Sequence, residues 1–241
     1  MSPVAHDAAA QLSRAKGQHV STAALLQARW AGELTDELRR RVLVETSIRT
    51  IPAGDSVCRK GEAPEYWIGV LDGLVKIVTV SPEGRSISFI GVPSGGWFGE
   101  GSLLKREARL YDGIALRDST IAYVPRNTFM LLLDSSVAFN RFLLVQLNER
   151  LGQFVAMVEY DRLLGPDARL AKELAGLFNP VLYPGNDNSL PISQEELSHL
   201  VGLSRQRVNQ ALRRLERAGL VRVGYRSLTI LDFEGLRRFE G

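Results

Sequence analysis

The chain has 241 residues, of which 45% are hydrophobic and 24% charged, proportions typical of a globular protein with one large domain or two ordinary ones. No apolar run approaches the roughly 20 residues of a membrane helix and no signal-peptide pattern opens the sequence, so we expect a cytoplasmic protein without membrane contact. The formal net charge is +3, and one cysteine (Cys58) with three scattered histidines excludes an intrachain disulfide and the spacing of a zinc or haem site, so no metal site is expected.

The N-terminal part of the chain predicts a tail followed by a β-rich domain. Residues 1–30 are rich in Ala, Ser and Gln, a composition typical of a flexible tail. Short β-rich runs such as "YWIGVL", "LVKIVTV", "SISFIGV" and "IAYVP" follow, with glycine turns between them. Regular short strands separated by turn residues predict a β-sandwich or β-roll, which we place at residues 31–135. The interior of such a roll is either packed or holds one small ligand.

A glycine-rich stretch, "GGWFGEGSLLKREARLYDG", interrupts this β-rich pattern. Gly99, Glu100, Gly101 and Ser102 place backbone amides near the start of a helix-like run, where an anion can bind. Glu100 can accept a hydrogen bond from a hydroxyl group such as that of a ribose, and Arg109 can meet a phosphate with two hydrogen bonds. An ordinary turn would fit the same residues, so the pattern alone leaves both interpretations open.

A long helix without internal proline is predicted next, and residues 136–165 contain this helix and a hinge. Apolar residues recur along it at alternating spacings of three and four, as in the seam of a coiled coil; they are Leu144, Leu147, Leu151, Phe154 and Val158. A helix buried within one domain would show a similar stripe. Gly165–Pro166 is predicted as the hinge and Asp167 as the cap of the following helix.

The C-terminal part, residues 166–241, contains a helix-turn-helix pattern. Ser193 and Glu196 form a capping box at the start of the first helix, Gly202 makes the turn, and Ser204 caps the second helix. The runs "LVRV", "GYRS" and "LTIL" then predict a strand, a turn and a strand, which together form a wing. Because a winged helix-turn-helix usually binds paired half-sites of double-stranded DNA, we predict that the apolar stripe is the seam of a homodimer.

Positive charge is concentrated in this motif. Between Ser204 and Arg226 the sequence has seven arginines and one glutamate, a net charge of +6 that leaves −3 for the rest of the chain. Such clustering is the electrostatic signature of nucleic-acid binding, although a surface helix kept in solution by arginine is the simpler alternative. The second helix offers side chains that suit guanine or adenine edges, namely Arg205, Gln206, Asn209 and Gln210. The predicted DNA surface is completed by residues that fit phosphates or flank the motif, namely Ser193, Ser204, Arg207, Arg213 and Arg226.

In this order of parts the chain resembles the Crp–Fnr family of bacterial transcription regulators, over about residues 34–239. The resemblance rests on "IPAGDSVCRKGEAPEYWIGVLDGLVKIV", on "FGEGSLL…RLYDGIA" and, most specifically, on "GLSRQRVNQALRRLERAGLV". It implies an α+β protein with an N-terminal jelly-roll-like β-roll of the cyclic-nucleotide-binding type, a long dimerisation helix and a C-terminal winged helix-turn-helix. It also implies that effector binding reorients the DNA-binding domain, and that an activator would contact RNA polymerase.

The resemblance carries over unevenly to the effector site. Gly99 and Glu100 match the family's phosphate-binding Gly-Glu pair, and Arg109 falls where the arginine for the cyclic phosphate is expected. Leu110, Phe154 and Val155 stand where cyclic-AMP binders have polar residues. We therefore expect an effector site that uses these residues with Gly101 and Ser102, open to a cyclic nucleotide or a cyclic dinucleotide such as cyclic di-GMP. A constitutive DNA-binding dimer whose roll binds no ligand is the alternative.

The same comparison guides the prediction for DNA and excludes other classes. Arg205 matches the family's guanine-reading arginine, while Gln206 and Gln210 replace a common Glu and Arg, which predicts an altered half-site. The oxygen-sensing and haem-binding branches of the family need cysteine or histidine ligands that this sequence lacks in the roll. An enzyme of the cupin type would need clustered histidines there, and no Ser-His-Asp order or Walker loop is present, so no catalytic residues are expected.

Overall fold

A computed structural model describes residues 23–80, 86–184 and 188–241 and shows an α+β protein, as predicted. The roll consists of two four-stranded antiparallel sheets with the orders β1-β8-β3-β6 and β2-β7-β4-β5. Its strands are β1 (Ser47–Ile51), β2 (Ser56–Cys58), β3 (Tyr66–Asp72), β4 (Leu74–Val80), β5 (Ser86–Pro93), β6 (Trp97–Phe98), β7 (Asp112–Ala115) and β8 (Ser119–Pro125).

Besides a short helical segment at residues 23–26, eight α-helices surround or follow the roll within the described part of the chain. After a 3-10 turn at Ala31–Glu33, they are α1 (Asp36–Glu45), α2 (Glu100–Lys105), α3 (Arg126–Ser135), α4 (Val137–Leu163), α5 (Pro166–Leu177), α6 (Gln194–Val201), α7 (Arg205–Arg217) and α8 (Phe233–Arg238). A small C-terminal sheet pairs β10 (Val221–Gly224) with β11 (Ser227–Ile230), and β9 (Ser189–Leu190) adds a third strand beside β11. The predicted wing hairpin of β10 and β11 is thus present, and β9 adds a third strand to its sheet that the sequence did not indicate.

The roll closes through tight turns, of which the turn between β3 and β4 is the most demanding. Gly73 has φ = +111°, a backbone conformation that other residues rarely adopt, and a Cβ atom there would lie 2.2 Å from Ser119 Oγ. The same hydroxyl group accepts a hydrogen bond from the Leu74 amide and donates one to the Arg117 carbonyl. Glycine at this position therefore lets β8 pass close beside the turn.

An aromatic cluster beneath the roll includes a residue that we predicted to lie in a flexible tail. Trp30 is 2% exposed and its ring lies 5.1 Å from the rings of both Trp67 and Trp97 and 5.7 Å from that of Phe139. Leu25 is buried with it. The predicted tail boundary at residue 30 is therefore too late, because residues 23–30 supply core side chains. The rest of that prediction, residues 1–22, lies outside the described residues.

The long helix α4 joins the two domains. The Ser136 hydroxyl caps it by accepting a hydrogen bond from the Phe139 amide. Its side towards the roll is buried, and its opposite side carries exposed apolar residues. After Leu163 the chain is extended at Gly165, which is the N-cap of α5, and Pro166 occupies the first helical turn. Our prediction that Asp167 caps this helix was wrong, since its carboxylate turns instead to the arginines of α7.

Within the described part of the chain, no single helix has the length and apolar composition to cross a membrane. Helices α3 and α4 meet such a test only when taken together, and they are bent by 110° at their junction.

Candidate ligand site and nucleic-acid interface

The glycine-rich stretch folds into a compact loop that brings Gly99, Glu100 and Arg109 together. Gly99 has φ = +95° and precedes α2, a helix of only six residues. The Arg109 guanidinium lies against this glycine, because a Cβ atom on Gly99 would be 2.7 Å from Arg109 Nη1. Arg109 Nη2 donates a hydrogen bond of 2.6 Å to the carbonyl oxygen of Tyr66. Glycine at 99 thus makes room for a buried arginine.

Two charged residues of this loop each have a buried polar atom without full hydrogen bonding. Glu100 Oε2 and Arg109 Nη1 are shielded from solvent, and neither makes a hydrogen bond of normal geometry within the described structure. The Trp67 indole N–H lies close enough to the Glu100 carboxylate to help lower its pKa, but its geometry falls short of a hydrogen bond. Burial raises the pKa of Glu100, and the positive charge of Arg150 is the largest of the effects that oppose this rise. A buried acceptor and a buried donor that lack partners are suited to a ligand that supplies a hydroxyl group and an anion.

Arg150 on α4 is a residue of this site that the sequence analysis missed. It is 8% exposed, and its guanidinium donates hydrogen bonds to Tyr183 Oη (2.7 Å), Gln153 Oε1 (3.0 Å) and the Trp97 carbonyl (3.3 Å). Burial alone would lower its pKa, but Tyr183 and Glu100 hold the pKa above its usual value. One signal could have found it: Arg150 lies one helical turn before Phe154 and so shares its face.

The other predicted effector residues lie in different surroundings. Gly101 is exposed, Ser102 is half-buried, and the Leu110 side chain is 66% exposed. Phe154 packs against the core of the roll, whereas Val155 is 62% exposed on the outer side of α4. The structure therefore groups Gly99, Glu100 and Arg109 with Arg150, and it places Leu110 and Val155 at the surface.

The space beside Glu100 is small in this conformation. The space lined by Trp67, Trp97, Glu100, Leu143, Gln146 and Arg150 has a cavity volume of about 0 Å³, so it has no room even for a water molecule. Ligand sites for nucleotide-sized molecules usually measure about 300–1,000 Å³. A ligand of that size would have to displace side chains of the roll or of α4.

The described residues around this site do not favour metal binding or a reactive thiol. Among residues 23–80, 86–184 and 188–241, no group of three or more His, Cys, Asp or Glu side chains could hold a metal ion. Burial raises the pKa of the Cys58 thiol to about 11, so the thiol stays protonated and unreactive at neutral pH. Cys58 is a packing residue of the roll.

The predicted seam residues on α4 divide between two faces. Leu144, Leu151 and Val158 are 67%, 63% and 49% exposed. Leu147 and Phe154 are half-buried against the protomer's own roll. Val137 and Val155, which are 69% and 62% exposed, add to the exposed stripe.

The C-terminal motif has the geometry that the sequence predicted. The capping box is complete: the Glu196 amide donates to Ser193 Oγ (3.1 Å), and the Ser193 amide donates to Glu196 Oε2 (2.6 Å). Gly202 turns the chain with φ = +64°, and Ser204 Oγ accepts from the Arg207 amide at the start of α7. The inner face of α7 is buried in the core of the winged domain through Val208, Ala211, Leu212 and Leu215.

The predicted DNA-binding side chains fall into a free group and a constrained group. Arg205, Gln206, Arg213 and Arg226 are exposed, and the described structure shows no ion pair or side-chain hydrogen bond for any of them. The constrained group makes contacts within the domain. Arg207 donates to Gln210 (3.2 Å) and faces Asp167 at 3.7 Å, and Asn209 donates to Gln194 (2.9 Å).

Comparisons with known proteins agree with this arrangement. The family model described as cyclic nucleotide-binding domain matches residues 48–136, and the Crp-like helix-turn-helix domain matches residues 168–239. The HTH-type transcriptional regulator Cmr of Mycobacterium tuberculosis is 30% identical over 175 residues, which are 73% of this chain and 68% of Cmr. The chain belongs to the Crp–Fnr family.

One further relative and one solved structure resemble this chain. The transcriptional regulator SdrP of Thermus thermophilus is 29% identical over 170 residues, which are 70% of this chain and 80% of SdrP. The solved structure of FixK2 from Bradyrhizobium japonicum has the same fold, with a TM-score of 0.67 and 18% identity over 81% of this chain and 98% of FixK2. This Crp–Fnr protein is a DNA-binding transcription regulator and not an enzyme.

Proposed function

We propose that this Crp–Fnr regulator acts as a sequence-specific homodimer whose affinity for DNA is controlled by a small effector bound in the roll. The observation that carries the DNA-binding half is the free group of side chains on α7 and the wing, because arginines with no partner among the described residues remain available for bases and phosphates. If the protein is an activator, RNA polymerase is a further partner.

The exposed stripe on α4 supports the homodimer. Val137, Leu144, Leu151 and Val158 recur every seven residues and are 49–69% exposed. A heptad stripe of large apolar residues is costly to leave in water and is buried when a second copy of the same helix packs along it. Sedimentation of the intact chain at micromolar concentration tests this directly, and a monomer would contradict it.

The buried groups of the glycine-rich loop support an effector site. The unpaired Glu100 oxygen suits a hydroxyl donor, and the unpaired Arg109 nitrogen suits an anionic oxygen. A nucleotide carries both groups, which favours a cyclic nucleotide or a cyclic dinucleotide. The apolar residues at Leu110, Phe154 and Val155 favour a molecule other than cyclic AMP, and they are also compatible with the alternative of a constitutive dimer.

Substituting Arg205 is expected to separate base recognition from phosphate binding. Arg205→Ala should weaken binding to the best duplex selected from a random-sequence pool by about 1–3 kcal/mol and relax the preference at one base pair. Arg213→Ala, the matched control, should weaken the selected duplex and the unselected pool alike and reduce the salt dependence by about one phosphate contact. Fluorescence anisotropy at several salt concentrations measures both effects. Equal losses on both duplexes for Arg205→Ala would contradict the base-reading role.

A nucleotide effector is expected to stabilise the folded protein. A ligand at 100 times its Kd adds about 2.7 kcal/mol to the free energy of unfolding, so thermal melting against a panel of cyclic mononucleotides and cyclic dinucleotides should show a shift for one of them. Arg109→Gln should abolish that shift, whereas Arg106→Gln in the exposed part of the same loop should retain it. No shift with any compound would favour the constitutive alternative.

A further inference from the structure

Tyr183 belongs in sequence to the winged domain, but its side chain lies in the roll. It follows α5 in the segment 178–184, it is 1% exposed, and it packs in the same core cluster as Ile68, Val92 and Phe98 of the roll. A Cβ atom on Gly96 would lie 2.9 Å from Tyr183 Cδ1. The ring therefore fills a space that the roll leaves open beside β6.

The phenol group of Tyr183 bonds to both sides of this space. It donates a hydrogen bond of 3.0 Å to the Gly91 carbonyl and accepts one of 2.7 Å from Arg150 Nη1. Arg150 is the same buried cation that lies beside Glu100 in the candidate effector site. Arg150 thus donates a hydrogen bond to Tyr183 of the DNA-binding domain and also belongs to the candidate effector site.

The segment that carries Tyr183 is held firmly in place. Asn179 Oδ1 accepts from the amides of Val181 and Leu182 at 2.9 and 3.0 Å. Gln146 on α4 donates a hydrogen bond of 2.6 Å to the Val181 carbonyl. With this support, the insertion of Tyr183 fixes the position of the winged domain relative to the roll and α4.

We propose that Tyr183 is an internal ligand of the roll, which holds the winged domain in a closed arrangement until an effector draws Arg150 away from it. This inference rests on the proposed function for its effect on DNA binding. An effector that competes with the phenol group for Arg150 weakens the closed arrangement. By linkage, the closed arrangement weakens effector binding by the same factor. Tyr183 would be the contact through which occupancy of the effector site reaches the winged domain.

The closed arrangement places part of the predicted DNA surface against the roll. Arg205 and Arg226 line a cavity of about 670 Å³ between the domains, whose other wall includes Gly54, Lys76 and Ile114 of the roll. A cavity of this volume suits a small molecule and is far too small for a duplex. Both arginines are exposed, but they face the roll across this cavity, so we infer that the roll hinders a duplex from reaching Arg205.

Further contacts close the same interface. The Ser88 hydroxyl donates a hydrogen bond of 2.6 Å to the His199 carbonyl, and Arg117 forms an ion pair with Glu196 at 3.0 Å. On the roll side Gly91 has no Cβ, and one built there would lie 2.7 Å from Leu177 Cδ2 and 3.1 Å from Leu200 Cδ1. Gly91 therefore allows the winged domain to approach closely.

The test compares Tyr183→Phe with a control, Tyr160→Phe. The control also removes a phenol hydroxyl group, but from a tyrosine of α4 that does not contact Arg150. A hydrogen bond to a buried cation contributes enough to shift an equilibrium about tenfold or more. We expect Tyr183→Phe to speed amide hydrogen exchange of the segment 178–184 about tenfold and to raise effector-free affinity for a pool of random-sequence duplexes by a similar factor. Tyr160→Phe should change neither quantity.

Unchanged exchange of the segment in Tyr183→Phe would overturn the internal-ligand proposal, whatever the protein does with DNA. Faster exchange with unchanged or weaker DNA binding would overturn its inhibitory role. If no variant and no wild-type sample binds duplexes, the proposed function fails, while the exchange data still judge the role of Tyr183. Gly91→Val opens the same interface from the roll side without touching Arg150, and it should reproduce both effects if Tyr183→Phe does not fold.

Discussion

Replacing Arg150 by methionine is expected to lower the free energy of unfolding by about 3–5 kcal/mol. The change removes a buried cation that donates hydrogen bonds to Tyr183, Gln153 and the Trp97 carbonyl. It also leaves Glu100 buried without its main opposing charge, and an uncompensated buried charge is costly. Urea unfolding followed by tryptophan fluorescence measures the loss. Arg141→Met, on the exposed side of the same helix, is the matched control and should cost less than about 0.5 kcal/mol.

The double variant Arg150→Met with Glu100→Gln tests the electrostatic part of this argument. A carboxyl group whose pKa is higher in the folded than in the unfolded chain binds more protons when folded, so stability falls as pH rises between the two values. Burial raises the pKa of Glu100, and removing Arg150 raises it further. Arg150→Met should therefore lose stability more steeply than wild type as pH rises above the unfolded-chain value, and the added Glu100→Gln should remove that extra slope. Strictly additive losses would show that the two charges do not interact.

Trp30→Ala is expected to cost about 3–5 kcal/mol, the usual range for truncating a buried aromatic residue. The indole is 2% exposed and contacts the rings of Trp67, Trp97 and Phe139, so its removal opens a cavity under the roll. The midpoint of urea unfolding should fall while the slope of the transition stays unchanged.

Leu26→Ala provides the control for Trp30, because Leu26 lies in the same segment and is 36% exposed. It should cost less than about 1 kcal/mol. A loss below about 1 kcal/mol for Trp30→Ala itself would contradict the assignment of Trp30 to the core and favour the predicted tail of residues 1–30.

The winged helix-turn-helix could be predicted because its signals are local. The capping box of Ser193 and Glu196, the positive φ of Gly202 and the cap at Ser204 involve residues no more than a few positions apart. The wing hairpin is also local, but β9, which lies some 40 residues before β11, was missed since strand pairing over that separation leaves no periodic trace.

The effector site was predicted only in part, for a related reason. The loop containing Gly99, Glu100 and Arg109 is contiguous, and its pattern is visible in the sequence. Arg150 and Tyr183 reach the same region from 41 or more residues away along the chain. A lone arginine in a helix and a lone tyrosine in a loop are ordinary residues until the fold sets them 2.7 Å apart.

The sequence by itself determined which segments form the roll, the long helix and the winged motif, and it determined that positive charge is concentrated on the last of these. Capping, turn formation and apolar periodicity depend on neighbouring residues, so they are readable along the chain. The tertiary structure alone decided that Trp30 belongs to the core, that α4 turns Leu144 outward and Phe154 inward, and that Tyr183 enters the roll. These outcomes depend on which surfaces meet when the elements pack, and close packing between distant segments has no signature in the order of residues.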